Sequence, residues 1–281
     1  MNILITGGSG DLGQTLVHHI EEAGHTPVVF DVEPPREDIG EYIRGSLLSS
    51  EEIRNALRGI DMAIHIAAWH GIHEVRGWKT PQDFWDLNVN GTYNLLQACV
   101  DQKVTKLIHI SSSSVTKSSG YYGFTKRLAE VTVRHFQQDE NLEAIILRPR
   151  AFIPHWNRDV YSDYLTWAKR FWPGAVHITD VIQAVMLSVD HLSTRKINHL
   201  PVLNVDRDAD FPQEELSDWD MAGPGTSFQK HYPGYENLIN RYGLDTAVKP
   251  VSLDIQETKN LLGYQPAYGL QDLLEELSRL T

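Results

Sequence analysis

Tyr122 and Lys126 are the residues whose types and spacing most directly suggest chemistry, because they lie four positions apart in a segment with helical patterning. This spacing places both side chains on one face of a helix, about one turn apart. A free phenol has a pKa of ~10 and is a poor base at neutral pH, but a neighbouring ammonium favours the phenolate and lowers that pKa. The pair therefore predicts that Tyr122 exchanges a proton with a substrate hydroxyl.

A glycine-rich turn near the start of the chain predicts a dinucleotide beside this pair. An apolar run at residues 1–5 is typical of a buried parallel strand, and a helical pattern from Leu12 continues until Gly24. Strand, glycine-rich turn and helix form the context in which a helix N-terminus binds a pyrophosphate. We expect cofactor contacts along this turn, at Gly7, Gly8, Ser9, Gly10, Asp11, Leu12 and Gly13.

An acidic residue follows the second predicted strand at the position where a ribose is bound. Val28–Phe30 is apolar and ends at Asp31, which lies 18 residues beyond Gly13. A carboxylate at about this spacing accepts a hydrogen bond from a ribose 2′-hydroxyl and repels a 2′-phosphate. The pattern favours NAD over NADP, although the nearby Arg36 leaves NADP open as an alternative. Glycine turn, acid and tyrosine–lysine pair together predict a nicotinamide-dependent enzyme.

Composition excludes several other classes of protein. The 281 residues carry a formal net charge of -12, which argues against nucleic acid or an anionic membrane as the main partner. The single cysteine, Cys99, excludes internal disulfides and suits a reducing compartment. No apolar run is long enough to span a bilayer, and the first strand begins at the initiator Met without a signal peptide. These features predict a cytoplasmic protein, and no residue cluster predicts a metal site.

Strand-like and helical patterns alternate along the first half of the chain. This alternation predicts a doubly wound parallel sheet of the α/β class, a Rossmann fold. We expect residues 1–150 to form the NAD-binding domain and residues 151–281 a smaller C-terminal substrate-binding lobe, with residues 175–205 returning to the Rossmann core. Residues 206–233 contain many Pro, Gly and acidic residues, which predicts a loop-like segment.

Seven short motifs occur in an order that is typical of one enzyme family. They are Thr6–Gly13, His65–Ala68, Asn88–Thr92, Ile110–Ser113, Tyr122–Lys126, His177–Val181 and Leu262–Pro266. With these motifs the chain resembles the extended short-chain dehydrogenase/reductase family, also called NAD-dependent epimerase/dehydratases, over essentially its whole length. The resemblance implies a catalytic triad of Ser113, Tyr122 and Lys126. Ser112 and Ser114 remain alternatives for the serine.

The resemblance also implies where the cofactor is held beyond the glycine turn. Lys126 is expected to hold the nicotinamide ribose, and Asn88 to order its surroundings. Ser46 falls where many relatives carry an adenine-binding acid, so the adenine contacts are weaker here. The cofactor contacts implied outside the turn are Asp31, Ser46, Leu47, Ala67, Ala68, Asn88, Ser111, Tyr122, Lys126 and Pro149.

Substrate and subunit contacts are implied at positions where family members approach the nicotinamide. Arg150 either clamps a substrate carboxylate or forms a surface salt bridge. Residues 83–102 are predicted to form a long helix. Its face from residue 83 to residue 99, together with the Tyr122 helix, resembles the bundle through which the family forms homodimers. The implied substrate contacts are Trp69, His70, Ser113, Arg150 and His155.

Two departures from the family pattern narrow the range of possible substrates. Only eight residues separate Ser113 from Tyr122, and only 28 separate Arg148 from His177. The second interval contains no hairpin resembling GDGxQxRD, whose arginine binds the diphosphate of a nucleotide sugar. We therefore expect a smaller substrate, such as a free sugar acid.

Three functions are compatible with these residues. The first is an NAD-dependent oxidoreductase that acts on a secondary hydroxyl or lactol of a sugar-like molecule. The second is a sugar or nucleotide-sugar epimerase, in which hydride is returned and no net redox change occurs. The third is a non-catalytic NAD-sensing regulator, which the presence of both Tyr122 and Lys126 disfavours.

Overall fold

The computed structural model describes residues 1–37, 40–117 and 119–280, and in these residues seven strands form one sheet. The strand order is β3-β2-β1-β4-β5-β6-β7, and every pairing from β3 through β6 is parallel. This order confirms the predicted doubly wound fold. The strands are β1 Asn2–Thr6, β2 Thr26–Asp31, β3 Glu41–Arg44, β4 Met62–His65, β5 Lys106–Ile110, β6 Glu143–Pro149 and β7 Val202–Val205.

Helices connect and cover the strands. The helices up to β6 are α1 Asp11–Glu22, α2 Ser50–Ala56, α3 Gly71–Val75, α4 Pro81–Trp85, α5 Thr92–Gln102 and α6 Tyr121–Asp139. A π-helical segment, Asp86–Gly91, joins α4 to α5, and a short 3₁₀ helix, Ser113–Thr116, follows β5. The later helices are α7 Tyr164–Phe171, α8 Ile178–Thr194, α9 Gln213–Ser217, α10 Trp219–Ala222, α11 Thr226–His231, α12 Glu236–Tyr242, α13 Gln256–Leu262 and α14 Leu270–Arg279.

The chain divides into two compact units. The first comprises Met1–Pro149 and Ala184–Leu203, and the second comprises Arg150–Gln183 and Asn204–Thr281. Aliphatic side chains from the strands and from α2, α5 and α6 fill the core of the first unit, whereas aromatic side chains dominate the second. A substrate-binding role for the second unit stays a prediction. Over the described residues, no helix is both long and apolar enough to cross a membrane.

Several elements differ from the sequence-based expectation. Strand β3 was not predicted, because its partly exposed residues form no apolar run. The segment of residues 206–233 is not loop-like, since it contains α9, α10 and α11, each of which buries a large apolar side chain. The helix expected over residues 83–102 contains the π-helical segment. Tertiary packing stabilises short helices such as α9, α10 and α11 more than local propensity does.

Candidate active site

The glycine turn is packed so closely that side chains have no room at two of its positions. Gly7 has a φ of +72°, and a Cβ there would lie 2.7 Å from the Cα of Ala67. A Cβ at Gly13 would lie 2.4 Å from the Cα of Gly8, so the start of α1 packs directly on the turn. A turn without side chains at the N-terminus of a helix fits a dinucleotide pyrophosphate.

Asp31 lies beside this turn at the end of β2. Its carboxylate accepts hydrogen bonds from the backbone N–H groups of Ser9 at 3.1 Å and Glu33 at 3.2 Å. Arg36, the residue that left NADP open, lies 3.4 Å from the carboxylate of Asp11 in the first turn of α1. The carboxylate of Asp31 therefore lies beside the glycine turn, the position expected for a residue that binds a ribose of NAD.

The residues expected to contact the adenine form hydrogen bonds within the protein or are buried. The Ser46 hydroxyl accepts a hydrogen bond from the Leu48 N–H at 3.1 Å, and its own N–H donates to Glu52 at 2.7 Å. The side chain of Leu47 is buried in the core of the first unit, and so is that of Leu12. A contact of these two leucines with the cofactor stays a prediction.

Helix α6 positions the tyrosine–lysine pair beside the end of β5. Nζ of Lys126 is buried and donates a 2.6 Å hydrogen bond to the carbonyl oxygen of Ile110. Burial lowers the pKa of Lys126 to about 8, against the opposing effect of the negative charge on Glu130. The lysine is therefore largely protonated at neutral pH.

The expected lowering of the pKa of Tyr122 is wrong for the chain's own groups. Burial raises the pKa of this phenol, and a hydrogen bond with the side chain of Ser112 acts in the opposite direction. The ammonium of Lys126 points to the Ile110 carbonyl instead. Tyr122 is thus a neutral phenol, and the serine that affects it is Ser112, which the sequence left open as an alternative to Ser113.

The four consecutive serines after β5 have different environments. Ser111 donates a 2.5 Å hydrogen bond to Glu130, and Ser112 contacts Tyr122. Ser113 begins the 3₁₀ helix, where its carbonyl accepts from the Thr116 hydroxyl at 3.0 Å. The structure therefore brings Ser112 to the phenol, and the catalytic role of Ser113 stays a prediction.

Asn88 joins the segment after β4 to α6. It is buried in the π-helical segment, a feature that is frequent at functional sites. Its amide oxygen accepts from the Trp69 N–H at 2.8 Å, and its amide nitrogen donates to the Trp69 carbonyl at 2.9 Å and to the Thr125 hydroxyl at 3.0 Å. Asn88 thus orders the residues around the tyrosine–lysine pair.

His65 and His70 are neutral side chains within the fold. His65 hydrogen-bonds Thr6 at 2.8 Å and Thr92 at 2.9 Å, and burial lowers its pKa to about 3. Burial also lowers the pKa of His70 to about 3, and its ring lies 4.2 Å from that of His73. Over the described residues, no group of three His, Cys, Asp or Glu side chains is placed to hold a metal ion.

The other expected cofactor contacts of the first unit occur near strand ends. Ala67 and Ala68 follow β4, Ser111 follows β5 and Pro149 ends β6. The carboxyl ends of parallel strands share one edge of a sheet, which is where such folds bind ligands.

Arg150 and His155 belong to the second unit. The guanidinium of Arg150 packs against Gly174 and lies 3.5 Å from Asp206, whose pKa burial raises to about 6. This ion pair is buried, unlike the surface salt bridge considered from the sequence. The ring of His155 packs against three aromatic rings, those of Trp156, Tyr164 and Trp167.

Sequence reasoning missed two carboxylates, one on the tyrosine–lysine helix and one that contacts its first turn. Glu130 lies one turn beyond Lys126 and binds Ser111, and the same-face spacing is a signal that could have found it. Glu74 accepts hydrogen bonds from the backbone of Tyr121 and Tyr122. No local signal indicates Glu74, because it precedes these residues by 47 and 48 positions.

The strand order, glycine turn and tyrosine–lysine pair together define a dinucleotide-dependent enzyme with a doubly wound sheet. The sequence model of the NAD dependent epimerase/dehydratase family matches residues 3–171, more than half of the chain. The chain therefore belongs to the NAD dependent epimerase/dehydratase family, and NAD is its cofactor. This confirms the family and the cofactor predicted from the motifs.

Similar proteins include both reductases and nucleotide-sugar enzymes. A 2-alkyl-3-oxoalkanoate reductase from Stenotrophomonas maltophilia is 30% identical, covering 53% of this chain and 50% of the relative. A 3-beta-hydroxysteroid dehydrogenase from Mycolicibacterium neoaurum is 24% identical, covering 98% and 89%. The chain spans about half the length of the first curated relatives. The solved structure of MoeE5 with UDP-glucuronic acid and NAD is 21% identical, covers 100% and 99%, and has a TM-score of 0.73, which shows the shared fold.

Proposed function

We propose that this protein is an NAD-dependent oxidoreductase that transfers hydride between NAD and a secondary hydroxyl or lactol of a small sugar-like molecule, such as a sugar acid. The observation that carries this proposal is the buried Lys126 on the same helix face as Tyr122, whose Nζ donates a 2.6 Å hydrogen bond to the Ile110 carbonyl at the end of β5. Bound NAD supplies hydride acceptance and donation.

The chain's own residues supply proton transfer and orientation. During reduction the neutral phenol of Tyr122 donates its proton to the reacting oxygen. During oxidation its phenolate form, which the Lys126 ammonium and the positive nicotinamide ring would favour, takes the proton of the reacting hydroxyl. The Ser112 hydroxyl, or that of Ser113, hydrogen-bonds the reacting oxygen as its charge changes. Lys126 holds the nicotinamide ribose, and Asp31 accepts from the adenosine ribose.

Two features support net redox chemistry on a small substrate. The short intervals after Ser113 and Arg148 leave little chain for a nucleotide-sugar site. The two curated relatives described above carry reductase and dehydrogenase names. Binding of this substrate by Trp69 and His70, together with Arg150 and His155, remains part of the proposal. The predicted homodimer and cytoplasmic location also stay predictions.

The substitution Tyr122→Phe tests the proposal. It removes the proton-transferring hydroxyl and keeps the ring, so we expect NAD affinity to stay at the wild-type value. Turnover, measured as NADH formation with a panel of sugar acids, should fall about 10²- to 10⁴-fold, the usual contribution of general acid–base catalysis. Unchanged turnover in Tyr122→Phe would show that another group transfers the proton.

Nucleotide retention separates this proposal from the epimerase alternative. The protein is desalted and denatured, and any released dinucleotide is identified by mass spectrometry. A dehydrogenase should release little NAD and bind added NAD reversibly. Near-stoichiometric NAD, with conversion of a sugar to its epimer and no net NADH, would favour an epimerase and contradict the proposal.

A further inference from the structure

The carboxylate of Glu130 lies where three parts of the candidate active site meet. Glu130 follows Lys126 by four positions and Tyr122 by eight on α6, so all three side chains share one helix face. Its side chain is only 8% exposed, although an isolated buried carboxylate is costly. Such a carboxylate requires partners, and those partners indicate its task.

Glu130 binds the ends of two strands. Its Oε1 accepts from the Ser111 hydroxyl at 2.5 Å and from Nε of Arg148 at 2.8 Å, and its Oε2 accepts from Nη2 of Arg148 at 2.5 Å. Ser111 directly follows β5, and Arg148 lies near the end of β6. The carboxylate therefore fixes both strand ends against α6.

The residues on either side of Ser111 are the ones that contact the catalytic pair. Ile110 supplies the carbonyl that accepts from Lys126, and Ser112 supplies the hydroxyl that contacts Tyr122. Displacement of Ser111 would consequently displace both partners. A shift of this kind at the supporting residues of an active site can markedly lower the rate.

Glu130 also supplies negative charge near Lys126. His65 from β4 and His109 from β5 face the lysine, but both are buried histidines with lowered pKa values and are neutral at pH 7. Tyr122 is a neutral phenol on the same helix, and Arg148 from β6 is bound to Glu130. Burial lowers the pKa of Lys126, and the negative charge of Glu130 raises it.

We propose that Glu130 is a positioning residue for Tyr122 and Lys126. Its carboxylate fixes the ends of β5 and β6 against α6, and it lies one helical turn from Lys126. This inference rests on the proposed function only for the role of Lys126 in turnover. The state of Lys126 itself can be measured without any substrate.

The test is an NMR titration of Lys126 in protein labelled with ¹³C and ¹⁵N lysine, with the Lys126→Arg spectrum used to assign the signal. In Glu130→Gln the carboxamide keeps the shape and loses the charge. We expect the titration midpoint of Lys126 to fall by about 1 pH unit, as for the loss of a nearby opposite charge. Glu130→Asp keeps the charge and should restore the midpoint toward the wild-type value.

Two further variants separate the effect of the Glu130 charge on the Lys126 midpoint from the effect of the Glu130 hydrogen bonds. Ser111→Ala removes a hydrogen bond but leaves the Glu130 charge, so the Lys126 midpoint should stay at the wild-type value. Arg148→Gln removes the counter-charge of Glu130, so the midpoint should rise, and this variant keeps the inference testable where Glu130→Gln does not fold. An unchanged midpoint in Glu130→Gln, or an unchanged or lower one in Arg148→Gln, overturns the inference.

Kinetics distinguish failure of this inference from failure of the proposed function. With an active substrate, the high-pH limb of kcat should move to lower pH in Glu130→Gln together with the NMR midpoint. If wild-type protein oxidises no substrate, the proposed function fails while the titration still decides the role of Glu130. If the wild type is active and the pH limb of Glu130→Gln does not move, the positioning role of Glu130 is wrong.

Discussion

Single residues with the same chemistry have different tasks in this protein, and the serines after β5 are the clearest case. The Ser111 hydroxyl is bound to a buried carboxylate, whereas that of Ser112 contacts the phenol of Tyr122. Four identical residues in a row carry no sequence signal that separates these environments. The direction in which each serine leaves the strand end decides its partner, and this direction depends on the 3₁₀ helix that follows.

A comparison of Ser112→Ala with Ser113→Ala tests which serine binds the reacting oxygen. Ser112 already contacts Tyr122, so its loss should lower kcat by about 10²-fold, as for removal of one oxyanion donor. Ser113→Ala should have a much smaller effect on kcat, and NAD affinity should be unchanged in both variants. A larger loss in Ser113→Ala would restore the assignment that follows from the family resemblance.

Among the elements, α6, which carries the tyrosine–lysine pair, begins without a capping side chain of its own. It is 19 residues long, its N-cap is Gly120 and its first turn contains no acidic residue. The cap is instead supplied by Glu74 of α3, whose two carboxylate oxygens accept from the N–H groups of Tyr121 at 2.6 Å and Tyr122 at 3.2 Å. A carboxylate at this position satisfies free N–H groups and interacts favourably with the helix dipole.

Loss of this remote cap should affect both stability and turnover. We expect Glu74→Ala to lower the free energy of unfolding by about 1 kcal/mol, the usual cost of removing a cap. Because one of the two N–H groups is that of Tyr122, kcat should fall as well. Thermal unfolding and NADH formation measure the two effects.

Glu51→Ala is the matched control for Glu74→Ala. Glu51 is an exposed acid in the first turn of α2, so its loss removes the same type of charge from a different helix. The control should change the unfolding temperature slightly and leave kcat at the wild-type value. Equal kcat values in Glu74→Ala and wild type would show that the cap has no influence on Tyr122.

The elements also show how far sequence patterns predict this fold. Apolar runs predicted the central strands, because β1, β4, β5 and β6 are almost entirely buried. Sequence patterns did not predict the elements whose formation depends on contacts with distant residues. The partly exposed β3 has no apolar run, and helices α9 to α11 depend on the burial of side chains such as Trp219 and Phe228.

The candidate site was predictable to a similar extent. The glycine turn, Asp31 and the tyrosine–lysine pair have fixed local spacings, so the sequence was sufficient to find them. Glu74 acts through contacts over 47 and 48 positions, which no local pattern indicates. Motifs are few in the second unit, for which a substrate-binding role is predicted, so the substrate was the least predictable property.

For the whole molecule, large exposed side chains suggest a surface that another copy of the chain covers. Trp85 of α4, Tyr93 of α5 and Phe124 of α6 are 42%, 50% and 45% exposed. Both α4 and α5 pack against α6. Exposed apolar clusters of this kind mark protein–protein contacts, and the same helices were expected to form the homodimer.

The homodimer prediction is tested by the mass in solution at micromolar concentration, which should be twice the 31.9 kDa of one chain. Phe124→Glu places a charge in the proposed interface, where burial without a partner is costly, so it should shift the population to monomers. Met221→Glu is the control, because Met221 is exposed on α10, away from these three helices in the sequence, and should leave the dimer intact. A monomeric wild type, or a Phe124→Glu variant that remains dimeric, would remove this face as the subunit interface.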